Sequence, residues 1–304
     1  MKYFFTNLIK TIPVLILITL IVFLLIRVTG DPVALMLSEN ATDEEKANLR
    51  ESLGLNDPLY IQYFTYMSDV IRGDFGTSFR YNTDALSLVL DRLPASIQLA
   101  FISMVFATII SVPLGILSAI KRNSFLDLFI TGGTVLGKAM PNFWLGIMLI
   151  LIFSVALGWL PVSGSGTIAH TILPAIALGT AIAAEMARLI RSSMLEILNK
   201  DFIRTARSKG LKESVVIFIH TFRNALIPVV TIMALQTSTL IGGTLITETV
   251  FSWPGVGQLL IQSVNLRDMA VVQAAVFIIA IFVIISNLTA DLIYRYLDPR
   301  IKYD

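Results

Sequence analysis

Six apolar stretches, each long enough to cross a bilayer, constrain this chain more than any other feature. A hydrocarbon core takes about 20 mostly apolar residues per helix, and such runs lie at 8–28, 95–120, 127–158, 171–191, 225–248 and 270–293. In lipid, every backbone N–H and C=O must be satisfied internally, so these runs predict helices. The expected fold class is an all-α integral membrane protein with about six transmembrane helices. Composition agrees: 55% of the 304 residues are hydrophobic and 14% charged, against about 25% charged in an average soluble protein. A net charge of +2 gives no sign of a nucleic-acid partner. The absence of cysteine rules out disulfides and thiolate metal sites. His170 and His220 stand 50 residues apart and are too few for a catalytic metal centre, so no metal site is expected.

The first stretch follows Lys2 and Lys10, as a signal peptide would. Its apolar run exceeds a typical signal core, and Arg27-Val28-Thr29-Gly30-Asp31-Pro32 offers no small-x-small cleavage site. An uncleaved span is therefore expected. With the N-terminus in the cytoplasm, fifteen of the 23 Lys and Arg residues fall in inside segments and seven outside, Lys138 being the remaining one. That bias is the one that orients membrane helices. Six spans then return both termini to the cytoplasm.

Residues 30–93 form the expected external segment. Thr42-Asp43-Glu44-Glu45 is a capping-box pattern and Gly54 a helix stop. Pro58 opens a second helix that carries Ile61, Phe64 and Ile71 on one face and ends at Gly73. Thr83 is placed to cap a third helix running to Arg92, with Pro94 starting the second span. This segment is either a packed cap on the membrane or a surface that meets a delivery protein.

The longest cytoplasmic loop, 192–224, is strongly basic. Within it, Asp201 to Leu211 reads as a short amphipathic helix, with Asp201 in the cap position and Gly210 at the end. The small pair Thr205-Ala206 would let another surface come close. A basic loop held near anionic lipid headgroups explains the charges equally well.

These residues resemble a known family. Arg204-Thr205-Ala206-x-x-x-Gly210, followed by Arg223-Asn224-Ala225-Leu226-Ile227-Pro228, is similar to the EAA loop of ABC importer permeases, in the branch that takes up dipeptides, oligopeptides, nickel chelates and glutathione. Gly54-Leu55-x-x-Pro58-Leu59, Gly73-Asp74-Phe75-Gly76-x-Ser78, Gly158-Trp159-Leu160-Pro161, Phe251-Ser252-Trp253-Pro254-Gly255-Val256-Gly257, Arg267-Asp268 and Asp298-Pro299-Arg300 extend the resemblance over essentially the whole chain. It implies a type I ABC importer (MetI-like) transmembrane domain over 94–297, preceded by the first helix and external segment over 1–93 and followed by a cytoplasmic tail over 298–304. It implies a bacterial cytoplasmic (inner) membrane location and four kinds of partner: a second homologous permease, two ATPase subunits, an extracytoplasmic substrate-binding protein and membrane lipid. This chain would bind no cofactor and catalyse nothing; ATP and Mg would sit on the partner ATPase subunits. Asp201, Arg204, Thr205, Ala206, Lys209, Gly210 and Leu211 would form the ATPase-coupling helix. The match around Trp253-Pro254-Gly255 leans towards the dipeptide and glutathione members.

Other features are weaker. Gly132-Gly133-Thr134-Val135-Leu136-Gly137-Lys138-Ala139 nearly fits a P-loop, but Ala139 replaces the magnesium-binding hydroxyl and the segment is a membrane helix. Its Gly133-x-x-x-Gly137, with Ala177-x-x-x-Ala181 and Gly179-x-x-x-Ala183, is better suited to close helix packing. Ser163-Gly164-Ser165-Gly166 near His170 lacks a positioned base for a serine hydrolase. A helix over 128–157 is about 45 Å long, which exceeds a core of roughly 30 Å, so Lys138 is expected to reach the interface, with Pro141 as a kink. Glu185 is expected to pair with Arg188 one turn on. Gln236, Thr239, Gly243 and Thr247 share one face of the fifth span and would line a pathway or join helices by hydrogen bonds. Trp253, Pro254 and Gly255 read as a tight external turn at an outer gate. The competing function is a stand-alone secondary transporter or channel, which usually shows midplane charges or broken helices in repeated halves. Only Lys138 and Glu185 meet the first criterion, and no inverted repeat is evident.

Overall fold

The structure is a computed structural model that describes residues 2–29, 33, 42–52 and 54–297. The expected tail at 298–304 and the residues Gly30, Asp31 and Pro32 lie outside the described residues. Besides a single helical turn at Glu213–Val215, the helices in chain order are α1 (Lys2–Thr29), α2 (Asp43–Ser52), α3 (Leu59–Arg72), α4 (Ala85–Ile120), α5 (Phe125–Ala139), α6 (Asn142–Leu149), α7 (Ile168–Leu198), α8 (Asp201–Ser208), α9 (Arg223–Val250), α10 (Val256–Leu266) and α11 (Met269–Leu297). A wide π-helical turn, Ile150–Ala156, extends α6, and a second, Val216–Phe222, leads into α9. No named strand occurs among the described residues.

Three elements are each long and apolar enough to cross a membrane alone: α4, α7 and Met269–Ile293 of α11. Two more spans qualify only as bent pairs, Phe125–Ala139 with Asn142–Ala156 and Glu213–Leu226 with Pro228–Leu240. The first helix carries a shorter apolar stretch, Lys10–Leu25. The expected six therefore requires each bent pair and α1 to count as one span.

The stretch expected as one kinked helix over 127–158 is in fact broken, with its halves at 104°. The cause is local. Proline disfavours helical backbone in the residue before it, and Met140 sits extended at φ −77° and ψ 126°. Pro141, at φ −61° and ψ 137°, then caps α6. A second expectation also changes. The helix ending at Arg92 and the span starting at Pro94 are one continuous helix of 36 residues. Its cap is Asp84, not Thr83: the Asp84 carboxylate accepts the Ser87 N–H at 2.7 Å. The external signals otherwise hold. Thr42 and Glu45 form the reciprocal capping box, with Glu45 accepting the Thr42 N–H at 2.8 Å and donating its own N–H to the Thr42 hydroxyl at 3.3 Å. The Thr42 N–H and hydroxyl, both donating to the Glu45 carboxylate, hold it below its ordinary pKa. Gly73 ends α3 in the left-handed conformation at φ 81°.

The chain divides into two compact units. The first takes residues up to 95 and 254–284. Its core gathers Val70, Phe75, Ala85, Val89, Val256, Leu259, Val271, Ala274 and Ala275. The Ser78 hydroxyl donates to the buried Asp268 carboxylate, which ties the 73–78 segment to the 267–268 turn. The Tyr63 hydroxyl donates to the Ile16 carbonyl at 3.1 Å, and Phe23 packs edge-on against its ring.

The second unit takes residues 96–253 and those from 285 onward. Here α7 is the most enclosed of the three long apolar helices, with Leu173, Ala177, Leu178, Met186, Ala187 and Ile190 all buried. Small residues set how closely its neighbours approach. A β-carbon added at Gly179 would fall 2.6 Å from the Phe106 ring and 2.8 Å from the Ser103 carbonyl oxygen, both on α4. Gly137 of α5 meets Thr180 and Ala184 of α7. Gly133 has no such neighbour within 4 Å, so only one glycine of the expected Gly133-x-x-x-Gly137 pair makes a helix contact.

The two glycines make opposite predictions. Gly179→Ala overpacks α4 against α7 and should lower stability by about 1–3 kcal/mol. Gly133→Ala fills open space and, by helix propensity, should leave stability unchanged or raise it by up to about 1 kcal/mol. Unfolding of the detergent-solubilised protein measures both.

Candidate functional site

The basic loop does fold into a surface helix. α8 buries Ile203 and Ala206 against Val216 and Ile197. Ala206 therefore faces its own chain, and only Thr205 of the expected small pair is exposed. Asp201 is the first residue inside the helix and Lys200 holds the cap position, with no side-chain capping bond. The Asp201 carboxylate instead lies 3.8 Å from Arg204. Gly210 closes the helix as expected. At φ 74° it takes the left-handed conformation, its N–H reaches the Arg207 carbonyl at 2.9 Å, and the Leu211 N–H reaches back to Ala206 at 3.4 Å. This is a Schellman closure, which favours glycine at that position. Arg207 donates twice to Glu213, at 3.2 and 2.6 Å, and fastens the helix to the next segment. The outer face then presents Phe202, Arg204, Thr205, Lys209 and Leu211 to solvent, with Phe202 48% exposed.

A second cluster forms at the α5–α6 break. A cavity of about 250 Å³ is lined by Lys138, Asn142, Glu185, Gln236 and Thr239, with Leu178, Ala181, Ile182 and Leu240 as apolar walls. Lys138 occupies the last turn of α5, where the helix dipole favours a cation, and Gly137 beside it lets α5 close on α7. Lys138 Nζ consequently reaches Glu185 Oε2 at 2.9 Å. Glu185 thus pairs with a lysine 47 residues away and not with Arg188 as expected. The stripe on α9 is divided: Gln236 and Thr239 join the cavity, whereas Thr247 is buried elsewhere in the unit with no partner for its hydroxyl among the described residues. Gly243 falls outside the residues whose surroundings are described.

At the end of α9 the chain turns through Phe251 and Ser252, the latter at φ 49°. Trp253 is buried, and its N–H donates to the Glu248 carbonyl at 2.8 Å. Pro254 and Gly255 begin the other unit, where Gly255 caps α10 with extended backbone. The Gly164 N–H donates to the Phe251 carbonyl at 2.9 Å, which holds the Gly/Ser loop against the turn. His170 bonds the Thr167 hydroxyl at 2.7 Å.

Two buried carboxylates escaped the sequence reading. Asp127 accepts Arg191 Nε at 2.8 Å and Nη2 at 2.7 Å, takes the Asn123 N–H at 2.9 Å, and accepts the Ser118 hydroxyl. This network joins α4, α5 and α7. Its sequence signal was Ser124-x-x-Asp127 at a helix start: Ser124 caps α5 by accepting the Asp127 N–H at 3.2 Å. Glu248 is fully buried and accepts the Ser96 hydroxyl at 2.6 Å. Its signal was a lone carboxylate at the end of an apolar run. Among the described residues, no group of three His, Cys, Asp or Glu could hold a metal.

Residues 111–303 match the model of the binding-protein-dependent transport system inner membrane component, and residues 1–100 match that of the N-terminal part of such membrane components. The chain is 42% identical to the oligopeptide transport system permease protein AppB of Bacillus subtilis, with 99% of both chains covered. It is 42% identical to the dipeptide transport system permease protein DppB of Alkalihalophilus pseudofirmus, over all of both. It is 40% identical to the glutathione transport system permease protein GsiC of Escherichia coli K12, covering 100% of this chain and 99% of that one. Among solved structures, the MetNI methionine ABC transporter in an inward-facing form shares the fold, with a TM-score of 0.57 and 20% identity over 69% of this chain and 96% of that one.

The closure of α8 can be tested directly. A β-carbon in the left-handed region costs roughly 1–2 kcal/mol, so Gly210→Ala should speed amide exchange over 206–211 and leave α7 unchanged. Unaltered exchange would show that the helix end does not depend on Gly210.

Proposed function

The chain belongs to the family of inner membrane components of binding-protein-dependent transport systems, the permease subunits of ABC importers, and from that premise we propose that it forms half of a translocation pathway for small peptides or related solutes. Its relatives at 40–42% identity carry oligopeptides, dipeptides and glutathione by name. The same scaffold would serve a metal chelate. A second homologous permease completes the pathway, two ATPase subunits hold ATP and Mg, and an extracytoplasmic binding protein delivers the solute. The Lys and Arg bias supports a reading with six spans and both termini in the cytoplasm.

The observation that carries the coupling role is the build of α8. Its inner face is anchored by Ile203 and Ala206, its end is closed by Gly210, and its outer face leaves Phe202 uncovered. An aromatic held out on a rigid helix is the kind of anchor that fills a partner pocket. Movement of an ATPase subunit against α8 would then pass through Val216 into α9 and the cavity. That gives a two-state element which ATP can bias. Trp253, Pro254 and Gly255 are assigned to the outer end of the pathway on the resemblance alone.

Purification in mild detergent should recover ATPase subunits and a second permease with this chain. Phe202→Asp should reduce their recovery and ATP-driven uptake tenfold or more, since an interface anchor is worth about 2 kcal/mol or more. Thermal unfolding of this variant should match the parent. Recovery of the chain alone under conditions that preserve other importers would overturn the reading.

A further inference from the structure

The cavity at the α5–α6 break contains two opposite charges that the packing does not need. Lys138 and Glu185 meet at 2.9 Å, yet their side chains keep 49% and 31% of their surface exposed. A pair that the surrounding side chains leave this uncovered contributes little to stability. Ionisable groups within a membrane bundle are otherwise expensive, and they mark functional sites by default. Asp127 and Arg191 show what a structural pair looks like in this chain. There the carboxylate is 6% exposed and fixed by several donors.

The other polar groups of the cavity point to what would displace the pair. Asn142 and Gln236 bring side-chain amides and Thr239 a hydroxyl, and none of the three has a side-chain hydrogen bond to another described residue. A free peptide carries a carboxylate, an ammonium and amides between them, which is the complementary set. Across the cavity Lys138 and Glu185 satisfy each other. An entering zwitterion would exchange that contact for two, with its carboxylate on Lys138 and its ammonium on Glu185. Its amides would meet Asn142 and Gln236. Like contacts are traded for like, so the solute is recognised without being held tightly, as passage requires.

We propose that the Lys138–Glu185 pair is an exchangeable ionic contact that selects solutes bearing both an ammonium and a carboxylate as they cross this subunit. This rests on the importer reading above and adds to it a selectivity site within the permease.

The chain contains no cysteine, so Thr239→Cys places a single reporter thiol in this chain at the cavity wall. The complete permease–ATPase complex is reconstituted in liposomes without binding protein and labelled with a small thiol reagent. Dialanine should slow labelling of this chain severalfold, and N-acetyl-dialanine amide, which has neither terminal charge, should not. Glu185→Gln and Lys138→Gln should each abolish the protection. If either single variant fails to assemble, Lys138→Glu combined with Glu185→Lys restores the pair and should restore protection. Equal protection by both peptides, protection that survives both glutamine variants, or no protection by dialanine would each overturn the proposal. Binding-protein-dependent uptake by liposomes holding the parent chain is measured alongside, and its loss would count against the importer reading instead.

Discussion

Close approach to α7 is the constraint on which the second unit depends. Helices in lipid gain nothing from hiding apolar surface from one another, because the surrounding chains are just as apolar, so they associate through dense packing and interhelical hydrogen bonds. On α7, Gly179, Ala183, Ala184 and Ala187 permit that density. Gly179 admits the Phe106 ring, and on α4 Gly115 lies where a β-carbon would come within 2.7 Å of Ile190. Gly137 of α5 rests against Thr180 and Ala184. Lys138 reaches Glu185 across the seam that Gly137 keeps close. The Lys138–Glu185 and Asp127–Arg191 pairs both bridge the α5–α7 seam, near its two ends.

The proline break converts that seam into a cavity. A straight helix through Met140 would run α5 and α6 along α7 as one rod. With the halves at 104°, α5 ends in open space, with Lys138 in its last turn and Asn142 opening α6. Two helix ends thus meet beside a polar stretch of α9. The fold reaches this arrangement with one proline and one extended residue.

Much of this was legible in the sequence where the signal is local. The apolar runs gave the long helices, and Gly73, Gly210 and the Thr42–Glu45 box marked their ends because a cap is settled within a few residues. The basic loop was recognisable as a helix from its spacing alone. What could not be read depends on distance along the chain. Glu185 has Arg188 one turn away, yet its partner is Lys138, 47 residues earlier, because α5 crosses α7 at Gly137. Asp127 and Arg191 are 64 residues apart. The face of Ala206 could not be known either, since it depends on Val216 arriving from beyond the turn. Of the polar stripe on α9, Gln236 and Thr239 share a cavity and Thr247 does not, a division set by which neighbours α9 meets along its length.

The attachment of α8 is of two kinds that respond differently to salt. Ile203 and Ala206 bear on Val216 through apolar contact. Arg207 and Glu213 are joined by a bidentate ionic bond on the exposed side. Salt screens exposed charges and leaves packing almost untouched. The inner face of α8 is thus held alike at any ionic strength, and the tie to Glu213 loosens as salt rises.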